Sequence, residues 1–290
     1  MKKHIGYIGL GKMGMSMVAR LKEKKWHVET YDVNGKGSAQ SLEQLANSLL
    51  KPRIIWIMVP AGKPVDGVIN ELLPLLQKGD TVIDGGNSLY EDSIHHGKKL
   101  AQRGISFLDV GVSGGPGTVR AGKPALMIGG EKKVFEKLKP LLLDLTRKAS
   151  FGYMGKSGAG HFVKMVHNCI EYGMMQAIAE GFAMMKKARF RLDLREVARV
   201  YNNGGVIQSR LTGWLETGLK KYGQELKEVS GSVAHTGEGE WTVKTAKKLG
   251  VPVPAIKDAF DFRVQSEKKP SYTGKILTML RSQFGGHSIK

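Results

Sequence analysis

The run His4-Ile5-Gly6-Tyr7-Ile8-Gly9-Leu10-Gly11-Lys12-Met13-Gly14 decides how the rest of this 290-residue chain is read. His4 to Gly9 is apolar and strand-like, and Gly9 to Gly14 leads into a helical run through Val18 and Leu21. Three glycines at this spacing have separate duties. The first permits the tight turn, the second lets backbone N–H groups approach a pyrophosphate, and the third lets the helix pack on the strand. The helix N-terminus then faces the negative charge. Gly9, Leu10, Gly11, Lys12, Met13 and Gly14 are therefore candidate positions for holding a dinucleotide.

The next strand, Val28 to Tyr31, ends in Asp32, close to the expected distance of about 20 residues downstream. A carboxylate there accepts from both ribose hydroxyls of an adenosine and repels a 2′-phosphate. No arginine follows it directly, so the residue types favour NAD over NADP, with Lys36 softening the preference.

The alternation continues outward. A helix over Ser41 to Leu50 opens on a Ser41 to Gln44 capping box, and Arg53 to Val59 reads as a strand buried on both faces. Loops after the strand ends of a parallel sheet are where ligands bind, which places Val59, Pro60 and Ala61 beside the cofactor. A helix from Val65 to Gln77, a strand from Thr81 to Asp84 and the turn Gly85-Gly86-Asn87-Ser88 follow, and Asn87 is a candidate contact for substrate or nicotinamide. After a helix from Glu91 to Arg103 and a strand from Ile105 to Val110, the loop Val112 to Gly117 offers the Ser113 hydroxyl and the close-approaching amides of Gly114 and Gly115. A strand Ala125 to Ile128, a helix Lys132 to Leu145 and a short strand near Lys148 to Gly152 complete the pattern.

Strand signals stop after Gly160. The remainder reads as helices: one long helix to Arg189, then Leu194 to Tyr201, Ser209 to Tyr222, Trp241 to Leu249, Pro254 to Ser266 and Thr273 to Gln283. The expected fold is α/β, with a doubly wound parallel sheet of Rossmann type over residues 1–160 and an all-helical substrate and dimerisation domain over 161–290.

The long helix opens with Gly158 to Tyr172, where Lys164, His167, Asn168 and Glu171 have the spacing i, i+3, i+4, i+7 and fall within an arc of about 100°. Their neighbours Phe162, Val163, Met165, Val166, Cys169 and Ile170 are apolar, so the polar stripe is expected to line a cleft. Lysine and glutamate enclosed in a cleft are natural candidates for general base and general acid. The competing account is a stripe that holds another helix by hydrogen bonds.

The formal net charge of +19 admits a nucleic-acid or membrane partner. The basic residues are nevertheless scattered, as in Lys22-Glu23-Lys24-Lys25 and Glu267-Lys268-Lys269, which is the pattern of a solvated face. Aromatics are few and not interleaved with them, which argues against nucleic-acid stacking. No apolar run approaches the roughly 20 residues that span a bilayer, and the start Met1 to Tyr7 reads as a first strand rather than a leader. The single cysteine, Cys169, allows no intrachain disulfide and fits a reducing, cytoplasmic setting. No metal-ligand cluster is visible. His95 and His96 are adjacent, diverge on a helix and are assigned to the surface.

These pieces together resemble the 6-phosphogluconate dehydrogenases, within the wider β-hydroxyacid dehydrogenase group. The resemblance covers nearly the whole chain. It is carried by Gly9 to Gly14, by Asp84-Gly85-Gly86-Asn87-Ser88, by Val112-Ser113-Gly114-Gly115, and above all by Gly160 to Asn168 with Ile170-Glu171-Tyr172. The ending Arg281 to His287 is similar to the family's closing arginine and histidine. At this length the chain resembles the short form, without the long form's duplicated helical half.

The resemblance implies oxidative decarboxylation of 6-phosphogluconate to ribulose 5-phosphate without metal, in the pentose phosphate pathway and gluconate use. Lys164 is then the base and Glu171 the acid that protonates C1. Asn87, Ser113, Gly114, Gly115, His167 and Asn168 hold the hydroxyls and carboxylate, while Tyr172, Arg263, and Arg281 with His287 reach the distal phosphate. It also implies a homodimer or homotetramer, because the family's C-terminal tail usually completes a neighbouring subunit's site.

There are two departures from the family's pattern, one in the Thr236 to Trp241 stretch and one at Asp32. Thr236 stands where the long form has a phosphate-contacting lysine, and Glu240 precedes Trp241, with Lys244 or Lys275 as compensating cations. Asp32 stands without the arginine that follows it in NADP-using relatives. The alternative reading is a β-hydroxyacid dehydrogenase acting on an unphosphorylated acid such as 3-hydroxyisobutyrate. That reading explains Thr236 and Glu240 but gives His167, Glu171 and the Arg281 to His287 pair no task. A nucleic-acid module retaining a dead dinucleotide fold, or a cofactor sensor, explains the paired Lys164 and Glu171 less well.

Overall fold

Short apolar runs alternating with amphipathic ones build a sheet covered on both faces. In the computed structural model, which describes residues 2–290, the elements of the first half are β1 (His4–Ile8), α1 (Lys12–Glu23), β2 (His27–Tyr31), α2 (Leu42–Ser48), β3 (Ile54–Ile57), α3 (Lys63–Leu72), β4 (Thr81–Asp84), α4 (Tyr90–Ala101), β5 (Ser106–Ser113), α5 (Pro116–Arg120), β6 (Ala125–Gly130), α6 (Lys132–Leu145) and β7 (Phe151–Gly155). Met1, included in the expected first strand, lies outside the described residues.

The seven strands form one sheet in the order β2-β1-β3-β4-β5-β6-β7. Every pairing is parallel except β5 with β6, where Leu108 faces Gly130 and Ser113 faces Ala125 in antiparallel register. The physical reason is the connection: a parallel return needs a crossover of a dozen or more residues, usually a full helix, and these strands are joined by a short segment whose only helix is the five-residue α5.

Alternate side chains of each strand serve opposite cores. Tyr7 and Trp56 join Met17, Leu21, Phe135 and Leu142 on one face, while Ile55 and Ile57 join Leu45, Val65, Ile69 and Leu72 on the other. Residues buried on both sides explain why these strands show no polar alternation. Two expected elements are shorter than their apolar runs. Arg53 precedes β3 because its buried guanidinium bonds Asp80 Oδ2 at 2.9 Å and Ala46 O at 2.8 Å, and its N–H donates to Asp80 Oδ1. The helix expected to reach Gln77 ends at Leu72, just before Pro74, which has no N–H to continue it. Ser41 caps α2 as expected by accepting from Gln44 N. The Gln44 side chain, however, accepts from Gln40 N instead of closing a box on Ser41.

From Ala159 the chain is helical: α7 (Ala159–Lys187), α8 (Leu194–Tyr201), α9 (Arg210–Tyr222), α10 (Glu238–Leu249), α11 (Pro254–Ser266) and α12 (Tyr272–Gly285). The chain divides into a unit that ends at Met165 and a unit from Val166 to Lys290, so α7 runs from one into the other. The core of the second unit gathers Met175, Ala179 and Phe182 of α7, Leu194 and Ala198 of α8, Leu215 and Leu219 of α9, and Ile276, Leu277 and Leu280 of α12. α10 lies close on α11 at Gly239, where a Cβ would sit 2.4 Å from the Phe260 ring. No helix among the described residues is long and apolar enough to cross a membrane.

Candidate active site

In the first unit the candidate surface is made of backbone. Gly9 turns with φ +95°, and a Cβ there would lie 2.3 Å from Met58 O. A Cβ on Gly14 would lie 2.0 Å from Gly9 O, so α1 packs directly on the turn. Gly11, the N-cap of α1, has nothing within 4 Å of its would-be Cβ. That open face over a helix N-terminus fits the pyrophosphate of a dinucleotide. Lys12 is exposed beside it and Met13 half-buried.

Asp32 holds this turn as well as facing its rim. Its Oδ2 accepts from Leu10 N at 2.7 Å and its Oδ1 from Asn34 N at 2.9 Å. The amide of Leu10 foremost, then that of Asn34, pulls the carboxyl below its ordinary value, with a smaller contribution from Lys36.

Val59 lies against the turn, its Cγ1 3.0 Å from the Cβ position of Gly9. Its carbonyl is 3.1 Å from the Cβ position of Gly86, and Pro60 and Ala61 follow in the same loop. The neighbouring turn is shaped by Asp84, whose carboxylate accepts from Gly86 N at 2.9 Å and Ser88 Oγ at 2.7 Å. This leaves Asn87 exposed at the tip. Ser113 ends β5, Gly114 follows at φ +119°, and Gly115 is the N-cap of α5.

The same unit seats the first turns of α7. Asp109, fully buried in β5, accepts from Gly158 N at 2.7 Å and His161 N at 2.9 Å, and so satisfies amides that a helix start leaves open. A Cβ on Gly160 would meet Asp109 O and Met127 O at 2.5 Å, and one on Gly111 would meet Lys164 Cβ at 2.4 Å. Glycines thus bring Lys164 down onto the β5 backbone. His161 is buried one turn earlier, its Nδ1 2.7 Å from Ser93 Oγ.

In the second unit the surface is made of side chains. α7 is unbroken, so the spacing of Lys164, His167, Asn168 and Glu171 puts their Cα positions on one helical face, and all four are half-buried. Tyr172 is buried under Arg263 of α11, whose Cζ stands 3.4 Å from the ring centroid. Arg263 is 1% exposed and Arg281 of α12 is 8% exposed. Burial pulls the Arg263 guanidinium down to about 10, against the support of Tyr172; burial also lowers Arg281. The Nε of Arg263 is buried with no hydrogen-bond partner among the described residues. His287 lies exposed beyond the end of α12, its ring edge-on to Phe284.

Sequence comparison supports what this geometry suggests. The family described as the NAD-binding domain of 6-phosphogluconate dehydrogenase matches residues 4–155, and the family described as the C-terminal domain of that enzyme matches residues 160–275. The chain belongs to the 6-phosphogluconate dehydrogenase family. An NAD(+)-dependent, decarboxylating 6-phosphogluconate dehydrogenase of Haloferax volcanii is 37% identical over 296 residues, 98% of each chain. Among solved structures, Plasmodium falciparum 6-phosphogluconate dehydrogenase, studied with NADP+ and with 6-phosphogluconate, matches with a TM-score of 0.74 at 26% identity, over 97% of this chain and 70% of that one. A 3-hydroxyisobutyrate dehydrogenase of Salmonella typhimurium matches with a TM-score of 0.76 at 21% identity, over 95% and 99%, which is a likeness of fold. The chain is therefore an oxidoreductase of this family with an NAD(P)-binding domain.

Three expectations about the residues need correction. His96 is not on the surface. It is 3% exposed, its Nε2 2.7 Å from Asp66 Oδ1 and its ring edge-on to Phe107, because α4 turns it toward β5 while His95 faces out. The acid near the arginines is Glu238, not Glu240. Two residues apart on α10 they point in nearly opposite directions, so Glu238 is buried while Glu240 is exposed and pairs with Lys244 at 2.5 Å. The compensating cations are engaged elsewhere: Lys244 with Glu240, and Lys275 with Leu226 O at 2.9 Å.

Sequence reasoning also passed over His4, His27 and Glu29, whose ligand atoms lie within 4.8 Å of one another. Parallel register of β1 with β2 brings His4 beside His27. The His4 Nδ1 accepts from Leu50 N, which puts the ring proton on Nε2, the nitrogen a metal would need.

Proposed function

We propose that the chain catalyses oxidative decarboxylation of 6-phosphogluconate to ribulose 5-phosphate and CO2, with NAD favoured over NADP, as a homo-oligomer serving the pentose phosphate pathway. The observation that carries the reading is the pair of buried guanidiniums, Arg263 and Arg281, with Arg263 Nε unpartnered beside Tyr172. Buried cations require anionic partners, and a phosphate offers the oxygens that a guanidinium fork matches. An unphosphorylated 3-hydroxy acid offers no phosphate to such a fork.

The dinucleotide, held by Gly9 to Gly14 and by Asp32, supplies the hydride acceptor. Lys164, in its neutral form, takes the C3 hydroxyl proton as hydride leaves C3. Its ammonium then polarises the new ketone, and the β-keto acid loses CO2 from its carboxylate. Glu171 delivers a proton to C1 of the resulting enediol. His167, Asn168, Asn87 and Ser113, with the amides of Gly114 and Gly115, hold hydroxyls and carboxylate, while Tyr172, Arg263, Arg281 and His287 take the phosphate end. Asp32 supports the NAD preference because its anionic carboxylate is already fixed at the rim of the turn.

The test is to measure reduced cofactor and CO2 together, with 6-phosphogluconate and with 3-hydroxyisobutyrate, using NAD and then NADP. Equal yields of NADH and CO2 from 6-phosphogluconate support the proposal. Reduction of NAD by 3-hydroxyisobutyrate alone, without CO2, refutes it.

A further inference from the structure

The middle of α12 has no outer face. Ile276, Leu277, Thr278, Met279, Leu280 and Arg281 are consecutive buried residues, about one and a half turns, so they cover the whole circumference. A helix buried all round lies inside a core. This one lies inside the core of the second unit, with Met175 and Phe182 of α7 and Leu215 and Leu219 of α9. A Cβ on Gly218 of α9 would stand 2.7 Å from Met279 Sδ, and one on Gly274 would stand 1.8 Å from Gly231 O, so α12 packs closely on both segments.

Polar bonds tie α12 to the stretch between α9 and α10. Tyr272 Oη donates to Gln224 O at 2.7 Å, Lys275 Nζ to Leu226 O at 2.9 Å and Thr278 Oγ1 to Ser232 O at 3.0 Å. The residues after α12 return to the same part of the unit. Phe284 lies against Trp214 with ring centroids 5.0 Å apart, the chain turns at Gly286 with φ +61°, and Ile289 O accepts from Ser230 N at 2.7 Å. Arg281 is held between these fastenings, and its charge acts on Tyr172 of α7 and Arg263 of α11.

The family resemblance implies a different arrangement, in which the closing arginine completes a neighbouring subunit's site. Here the guanidinium reaches a neighbour only if α12 leaves its unit. That would expose Ile276, Leu277, Met279 and Leu280 to water and break the bonds to Gln224, Leu226 and Ser232.

We infer that Arg281 serves the site of its own chain, so that the pair Arg263 and Arg281 is complete within one subunit. The inference rests on the proposed reading of these arginines as the phosphate end, but its first test needs no substrate.

Ser230→Cys with Ile289→Cys puts two thiols at positions whose backbones are already hydrogen-bonded, and the one natural cysteine, Cys169, is buried. After oxidation of the folded protein, the expected product on a denaturing, non-reducing gel is a single chain with an internal link, running faster than its reduced form. A linked dimer means that this segment is exchanged between subunits and overturns the inference. The second test reads Arg281 itself, in an oligomer isolated from one Lys164→Ala chain and one Arg281→Gln chain carrying different tags. Every site that keeps Lys164 is then expected to lack Arg281, so KM for 6-phosphogluconate matches that of the Arg281→Gln protein, roughly ten- to a hundredfold above the unsubstituted one. Return of the unsubstituted KM in a fraction of the sites shows an arginine supplied by the partner and overturns the inference; so does an Arg281→Gln protein whose KM is unchanged. Arg281→Lys, which keeps the buried charge, takes the same place in the pairing if Arg281→Gln does not fold. Absence of 6-phosphogluconate turnover in the unsubstituted protein counts against the proposed substrate and leaves the gel to decide the placement of α12.

Discussion

The two units prepare for ligands by opposite means. The first uses backbone: glycines at 9, 14 and 160 remove side chains where main chain comes close, Gly111 makes room for Lys164, Gly11 leaves the helix N-terminus open, and Asp32, Asp84 and Asp109 tie the resulting turns with their carboxylates. The second uses side chains drawn from helices far apart in sequence, with Tyr172 of α7, Glu238 of α10, Arg263 of α11 and Arg281 of α12 all buried. A surface of backbone amides is satisfied without a ligand, because water reaches it. Buried guanidiniums depend on neighbours instead: Arg263 lies over the Tyr172 ring, and the charges of Glu171 and Glu238 support it and Arg281. The first unit is therefore expected to tolerate loss of its ligand, while the second depends on the buried side chains that surround its arginines.

Lys164→Ala gives the largest expected effect and tests whether the backbone-built seat exists for the sake of one side chain. Gly111 and Gly160 bring α7 down so that Lys164 rests on β5. Removing the amine is expected to lower kcat by about 10³-fold, within the range for a lost general base. NAD affinity, measured by fluorescence titration, stays nearly constant because the fingerprint turn is untouched. Loss of NAD binding instead assigns Lys164 to the cofactor and removes it from the chemistry.

Arg263→Gln addresses the other half of the comparison. The glutamine keeps polar atoms in the buried site but gives up the charge, and each charge-assisted hydrogen bond is worth about 1.5–3 kcal/mol. A rise of roughly ten- to a hundredfold in KM for 6-phosphogluconate is expected, with little change toward unphosphorylated gluconate. With the guanidinium lowered only to about 10, it remains charged at neutral pH, so the effect is flat between about pH 7 and 9. Equal losses for both substrates mean that Arg263 supports the fold of α11 against α7 and does not read phosphate.

This contrast also explains what the sequence made legible. A backbone-built surface demands particular residue types at fixed local spacing, so Gly9 to Gly14, Asp32 and the turn around Asn87 stand out in one dimension. The stripe Lys164 to Glu171 was visible for the same reason, since it lies within one helix. Partners supplied from elsewhere leave no local trace. His96 looks like a surface histidine until α3 brings Asp66 beside it, and Glu238 looks like any helix-opening acid until α7 brings Asn168 to it. The direction of β6 was hidden too, because an apolar strand has the same composition whichever way it runs.

Asp32→Asn gives the smallest expected effect and separates the two tasks of one carboxylate. The asparagine keeps an acceptor for Leu10 N but loses the charge that favours ribose hydroxyls over a 2′-phosphate. The ratio of NAD to NADP efficiency is expected to fall roughly tenfold, about 1.4 kcal/mol. The structural task shows itself in pH. The amides of Leu10 and Asn34 hold the folded carboxyl below its ordinary 3.8, so its contribution to stability is complete above that value. It is lost as pH falls through the lower, folded value. Thermal melts of the unsubstituted protein and the Asp32→Asn variant should therefore differ by a constant amount from neutral pH down to the ordinary carboxylate range, and converge below it. A changed cofactor ratio with superimposable melts at every pH confines Asp32 to ribose recognition. Diverging melts with an unchanged ratio make it a brace for the glycine turn, and whatever cofactor preference is measured must then be sought in the residues after it, Val33 to Lys36.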